Sequence, residues 1–355
     1  MKIQTHFFPL AAVMGVLTLM LTGCHTPSKP GAFAPRRGDE IVAAGQFFHT
    51  GARVVLWMDP GGYDAYRVER RFSNFDDSSW ETSKTAVKDL TTPNRYGLRK
   101  SSVLTSNDVE RVRGGGWDLP LLQQVVDQFV IHYDAAGTSR QCFKILHDLR
   151  DLSVHFLLDL DGTIYQTLDL KERAWHATSS NTRSVGIEIA HIGAFSVRRE
   201  PALKEWYQAD ERGGVKFTVP SRFGPTGVRT PNFVARPARA EAVRGVVQGS
   251  ELVQYDFTPE QYKSLAKLTA TLCKVFPKIE CDYPRDADGK LILKKLPDEQ
   301  LARYQGVLGH FHIQLNKVDP GPAFQWDHVV AAARALLRGP PPARPRWSDR
   351  TTQAR

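Results

Sequence analysis

Apolar and polar positions change rhythm several times along this chain, and each change predicts an element. Arg53-Val54-Val55-Leu56-Trp57 alternates before a turn at Pro60-Gly61-Gly62, and Gly114-Gly115-Gly116 marks a second break. Val125 to Ile131 is a short apolar run, read as a buried strand that ends at His132. Arg140 to Leu149 spaces its apolar residues as a helix does. Val154 to Leu160 alternates, turns at Asp161-Gly162 and resumes from Thr163 to Leu168, which predicts a hairpin. Val185 to Ala190 reads as a second buried strand. Thr258-Pro259-Glu260-Gln261 opens a helix, with Thr258 as N-cap, Pro259 at the first helical position and Gln261 closing a capping box; the helix continues through Leu265, Leu268 and Leu272. Trp326 to Leu337 forms the last helix, broken by Gly339-Pro340-Pro341-Pro342. No repeat occurs. Strands alternating with helices predict an α/β domain built on a single mixed central β-sheet flanked by helices.

The ends of the chain read differently from its middle. Lys2 precedes the apolar stretch Phe7 to Leu21, and a small-residue site follows, the layout of an export signal. Leu21-Thr22-Gly23-Cys24 resembles the bacterial lipobox. That resemblance implies cleavage before Cys24, a lipid anchor on that cysteine and a membrane location, at the periplasmic face of the outer membrane if the cell has two membranes. The divisions expected are a signal segment at 1–23, a tether at 24–40, a β-rich extension at 41–120, the main domain at 121–338 and a disordered tail at 339–355. The extension is either packed on the main domain or a separate module. Residues 195–254 are polar and rich in Arg, Pro and Gly, as an insertion would be.

The 355 residues carry 47 Lys and Arg against 38 Asp and Glu, a net charge of +9. This mild excess suits an anionic wall polymer or phospholipid headgroups, and equally a plain solvated surface. The basic residues are scattered and no nucleic-acid motif occurs, so nucleic acid is not an expected partner. Cys142, Cys273 and Cys281 remain after Cys24; export permits a disulfide, and the Cys273–Cys281 pairing stays open. A monomer is expected.

The chemistry concentrates at Gly309-His310-Phe311-His312 and Lys317-Val318-Asp319-Pro320-Gly321-Pro322, together with the distant His132. Two histidines and a carboxylate from separate segments are the ligand set of a catalytic zinc site, which leaves a fourth position for water. His312 competes with His310 for the ligand role. Glu188 interrupts an apolar strand, and a carboxylate there is costly unless it is paired with an arginine or functional. His147, His191 and His328 have no motif support. No His-Glu-x-x-His pattern occurs, which counts against the common zinc peptidases.

Four segments resemble the zinc-dependent N-acetylmuramoyl-L-alanine amidases, whose fold is shared with the peptidoglycan recognition proteins. These are the His132 strand, the hairpin from Ser153 to Gln166, Glu172-Arg173-Ala174-Trp175-His176-Ala177 with Asn181 to Ile189, and the His310–Pro322 cluster. They stand in the family's order between about Leu121 and Leu337. The resemblance implies one zinc per chain on His132, His310 and Asp319, with Glu188 as general base and Lys317 stabilising the oxyanion. It implies a peptidoglycan or muropeptide substrate, bordered by His155, His176 and Asn181. The segment from His310 to Asp319 is one residue shorter than the family's usual spacing, so its loop must be drawn tighter. The alternative reading is a recognition module that holds peptidoglycan without cutting it.

Overall fold

The computed structural model describes residues 29–67, 72, 79, 81 and 96–339. The signal segment, Cys24 and the tail beyond Gly339 lie outside the described residues. The chain divides into two compact units, Met1–Arg36 and Arg37–Arg355. In the first, residues 29–32 turn through a hydrogen bond from Ala32 N to Lys29 O.

The second unit is built on a six-stranded sheet. Its strands are β1 (Val54–Leu56), β2 (Gln128–Tyr133), β3 (Phe156–Leu158), β4 (Ile164–Gln166), β5 (Ser184–Ile189) and β6 (Gly306–Gly309). They lie in the order β6-β2-β5-β3-β4-β1. All neighbours are parallel except the β3–β4 hairpin, so the sheet is mixed, as the alternation of elements predicts. The helices are α1 (Ser106–Arg113), α2 (Leu119–Val125), α3 (Ser139–Phe143), α4 (Pro259–Val275), α5 (Asp298–Arg303) and α6 (Trp326–Arg338). No described helix is long and apolar enough to cross a membrane.

Side chains along a strand point alternately to its two faces, and the sheet uses the two faces differently. Phe129, Ile131, Phe156, Val185 and Ile187 face one side and pack with Leu265, Leu268 and Leu272 of α4 and Val329 and Val330 of α6. The other side is covered less evenly. Leu157 and Tyr165 pack there with Phe143 and Val154, while Val130 and Leu308 meet Leu296 and Ile313. The gap between those two clusters holds the polar side chains described below.

Local chemistry explains several boundaries. The capping box at α4 forms as the sequence predicts, with Thr258 Oγ1 accepting from Gln261 N and Gln261 Oε1 accepting from Thr258 N. The apolar run from Val125 is split between two elements. Asp118 caps α2, which has Pro120 in its first turn and carries the helix to Val125; the strand then begins at Gln128. The helical spacing after Arg140 becomes α3 followed by a π-helical turn over Lys144–Leu149.

Among the described residues of the 41–120 segment, Val54–Leu56 join the main sheet. Val54, Val55 and Leu56 are all buried, and β1 pairs with β4 as the edge strand. Tyr96–Leu98 pairs with Glu172–Ala174. The 195–254 segment forms two small sheets of its own. One is the hairpin Tyr207–Ala209/Val215–Phe217; the other joins Phe195–Ser196 to the hairpin Val243–Val247/Ser250–Gln254. Cys142, Cys273 and Cys281 are free, although Cys273 and Cys281 lie close enough to perturb each other's thiols.

Candidate metal centre and cleft

His132 on β2 and Glu188 on β5 are direct partners in the parallel register, so the sheet itself sets them side by side on one face. β6 ends at Gly309, and the chain turns there into a 3₁₀ segment, His310–His312. Gly309 is required because a Cβ would lie 2.8 Å from Pro320 and 2.9 Å from the Phe311 ring. That close approach brings Asp319 back against His310.

The result is a triangle of atoms that could hold a metal ion. His132 Nδ1 lies 2.9 Å from His310 Nδ1 and 3.0 Å from Asp319 Oδ2, and His310 Nδ1 lies 3.0 Å from the same oxygen. The outer nitrogens are already committed. His310 Nε2 donates to Gln314 Oε1, and His132 Nε2 faces His176 Nδ1 at 3.0 Å. His176 Nε2 in turn sits 3.2 Å from Ser184 Oγ. On the tautomer that carries its proton at Nε2, each ring turns a bare Nδ1 lone pair toward the carboxylate. Three acceptors that close together repel unless a cation sits among them. Ligands around a tetrahedral zinc stand about 3.3 Å apart for bonds of about 2.0–2.1 Å, so the triangle fits such an ion with little adjustment. The outer hydrogen bonds are those that fix the tautomer of a metal-bound histidine.

Burial depresses the His132 pKa to about 4, with the neighbouring His310 adding to the effect. Burial alone would push the Asp319 carboxyl up, but His310 and His132 overcome it and hold it well below the usual carboxylate range. His132, His310 and Asp319 are all buried, and they form one of two groups of three possible metal-binding side chains among the described residues. The second, Asp39, Glu40 and His49, is already occupied by internal bonds: three backbone N–H groups donate to Glu40, and His49 meets Asp39.

The rival histidine is tied elsewhere. His312 Nδ1 accepts from Gly309 N at 2.9 Å and Nε2 donates to Ile292 O at 2.8 Å, so neither nitrogen is free. His191 and His147 likewise spend both ring nitrogens on hydrogen bonds within the fold.

The triangle opens into a cleft of about 640 Å³ lined by His310, Asp319, Glu188 and Lys317. Glu188 is half-buried, its Oε2 has no hydrogen-bond partner, and its pKa is raised well above the ordinary range. Burial is the first cause, followed by the charges of Asp319 and Asp134, with Lys317 opposing. His176 and Asn181 also line the cleft. The backbone N–H groups of His176 and Ala177 donate to Asn181 Oδ1 at 3.0 and 2.6 Å, so that side chain shapes the loop.

His155 departs from expectation. It points to the cleft side of the sheet but is fully buried, with His176 above it at 5.8 Å between ring centroids. Gly186 N donates to His155 Nδ1 and Nε2 donates to Glu172 O, so it supports the floor and cannot touch a ligand. Gly186 makes this edge-to-face arrangement possible, since a Cβ there would lie 2.4 Å from the His176 ring.

Other contributors were not singled out from sequence. Gln314 follows His310 by four residues, a one-turn spacing that offered a signal. Arg150, Arg173 and Trp175 line the cleft. The Arg173 guanidinium lies 4.3 Å over the Trp175 ring, and Arg173 Nε and Trp175 Nε1 are buried donors without partners. Arg99 is wholly buried beneath the site. It donates to Leu170 O at 3.1 Å, Asn181 O at 3.4 Å and Thr182 O at 2.7 Å, and lies 2.9 Å from His155 Nε2. Burial and this neighbouring cation depress the His155 pKa to about 3. Nothing in the sequence pattern pointed to Arg99.

A cleft that gathers a cation-seeking triad, an unpartnered carboxylate and a lysine is the equipment of a hydrolase. The sequence pattern of the N-acetylmuramoyl-L-alanine amidases matches residues 122–322, more than half of the chain, and the chain belongs to that family of amide hydrolases. No curated protein matches it. Among solved structures it is similar to a selenomethionine derivative of AmpD, at 18% identity, covering 59% of this chain and 86% of that one with a TM-score of 0.29. It is also similar to the amidase AmiD from E. coli in complex with anhydro-N-acetylmuramic acid-L-Ala-D-γ-Glu-L-Lys, at 19% identity, 58% and 57% coverage and a TM-score of 0.31. A third is the endolysin amidase LysCS from Clostridium intestinale, at 14% identity, 60% and 87% coverage and a TM-score of 0.31. At such TM-scores the likeness carries no weight beside the family match.

Proposed function

We propose that this chain is a zinc-dependent amidase that cuts the amide between the lactyl group of N-acetylmuramic acid and the L-alanine of peptidoglycan or muropeptides. The observation that carries the proposal is the convergence of His132 Nδ1, His310 Nδ1 and Asp319 Oδ2 within 3.0 Å of one another, at the edge of a cleft that also holds Glu188 and Lys317. These three atoms would hold one zinc ion. When bound, zinc supplies Lewis acidity, polarising a carbonyl and lowering the pKa of water to about 7.

The chain's own groups do the rest. Glu188 takes a proton from the attacking water as the new C–O bond forms, which loads its unpartnered Oε2. The same proton passes to the alanine nitrogen as the C–N bond breaks, leaving a lactyl carboxylate and a free peptide amine. The Lys317 ammonium faces the carbonyl oxygen as negative charge gathers there. A positive charge among the ligands offsets the Asp319 charge that raises the Glu188 pKa. The His176–Asn181 loop forms one wall and fixes the outer nitrogen of His132.

The test joins metal analysis to product analysis. Digestion of purified sacculi or muropeptides should yield free stem peptides beginning with L-alanine, with about one zinc per chain in the purified protein. His310→Ala should lose zinc and activity together, whereas His312→Ala should keep its zinc and lose stability instead. Protein that binds sacculi and holds zinc yet releases no peptide would favour the recognition-module reading.

We also propose that the chain is exported and lipid-anchored through Cys24, on the strength of Leu21-Thr22-Gly23-Cys24 alone. Cys24→Ser should release the protein from the membrane fraction or block its processing. An unchanged fraction and an unchanged mature mass would sink this reading.

A further inference from the structure

Two of the three proposed ligands sit on one tightly drawn segment, and that segment is gripped from outside. The grip is the hairpin Val243–Val247/Ser250–Gln254, at the end of the inserted region. Its two ends each present a glutamine to a different part of the ligand segment.

Gln254 is fully buried at the base of the hairpin. Its Nε2 donates to Pro320 O at 3.0 Å and its Oε1 accepts from Ala323 N at 3.0 Å. One side chain thus spans the turn that follows Asp319. The fit is close enough to dictate sequence. Gly321 has φ +87°, and a Cβ there would lie 2.2 Å from Gln254 Oε1; a Cβ on Gly245 would lie 2.7 Å from Pro322.

Gln248 holds the other part from the hairpin tip. Its Nε2 donates to Phe311 O at 2.8 Å and Gln314 O at 2.9 Å, and its Oε1 accepts from Lys295 N at 3.1 Å. Phe311 and Gln314 bracket the turn that leaves His310, and Gln314 is the residue that accepts from His310 Nε2. The two-residue turn Gln248-Gly249 has φ +53° and +72°. That conformation favours Asn, Asp or Gly, so a glutamine there is kept against local preference. All five of these polar contacts, two by Gln254 and three by Gln248, are to backbone N–H or C=O groups, so the grip reads backbone geometry rather than side-chain identity.

We propose that Gln248 and Gln254 are positioning residues that fix the gap between His310 and Asp319, and so set the affinity of the metal site. The inserted hairpin acts as an external clamp on the ligand loop. The proposal rests on His310 and Asp319 being metal ligands.

The experiment measures zinc affinity of the purified full chain by competition with a chromogenic chelator, with thermal midpoints recorded with and without zinc. Gln254→Ala and Gln248→Ala should each weaken zinc binding about 10- to 100-fold, as loss of an outer support typically does. The rise in midpoint on adding zinc should shrink with them. Glu251→Ala, on the same hairpin but exposed, should leave zinc affinity unchanged. If burial makes Gln254→Ala unable to fold, the half-buried Gln248→Ala carries the test. Variants that lose thermal stability but bind zinc as tightly as the wild type overturn the clamp, because the glutamines are then merely structural. A wild type with no measurable zinc affinity overturns the metal reading itself, and the clamp with it.

Discussion

The two faces of the central sheet are made from the same strands but obey different rules. On β5, Val185, Ile187 and Ile189 point to the helices, while Ser184, Gly186 and Glu188 point to the cleft. The first set is apolar, close-packed and replaceable in kind. The second set is a serine that meets His176, a glycine that makes room for it, and a carboxylate with a spare oxygen. A period of two therefore lets one strand carry stability and chemistry without either compromising the other. Substitutions on adjacent residues of β5 should separate the two.

The largest expected effect is on the cleft face. Glu188→Gln keeps shape and removes the proposed base, and should lower the rate of stem-peptide release about 100- to 10,000-fold with little change in zinc content or thermal midpoint. Full activity in that variant would remove Glu188 from the mechanism. One residue earlier, the effect should invert. Ile187→Ala empties a fully buried site and should cost about 2–5 kcal/mol of stability, while the folded fraction keeps its specific activity. Equal loss of rate and stability in both variants would show that the faces are not independent.

The smallest effect concerns Asp159, just past β3, where one carboxylate oxygen accepts from Ser139 N and Leu160 N and the other has no partner. Burial raises its pKa from 3.8 to about 7. Between those values the folded chain holds a proton that the unfolded chain has released, so its contribution falls as pH rises through that window. Asp159→Asn should therefore gain roughly 1–4 kcal/mol over the wild type above pH 7 and lose that advantage below about pH 4. Denaturant melts at the two pH values check the sign.

Much of this was legible in the sequence where the cause is local. The Asp161-Gly162 turn specifies the β3–β4 hairpin, and Thr258 with Gln261 starts α4, because turns and caps depend on neighbours within four residues. The clustering of His132, His310 and Asp319 was legible through the glycine before His310 and the Asp-Pro-Gly-Pro sequence after it. His155 was placed on the right face but at the wrong depth, because alternation gives a side and not what lies above it. Gln248, Gln254 and Arg99 were invisible for a related reason. Each is a polar residue whose partners named above lie 47 or more positions away, and no periodicity encodes such a pairing.

Arg99 also bears on where this protein can be divided. It lies outside the 122–322 stretch that marks kinship, yet its guanidinium is sealed among carbonyls at both ends of the loop carrying Arg173, Trp175 and His176. A fragment trimmed to the kinship boundary would leave Leu170 O and Thr182 O facing an empty polar hole under the cleft floor, and would strip β1 from the sheet edge. Ancestry and foldability draw different borders on this chain. The shortest piece that keeps its floor begins well before the segment that names its family.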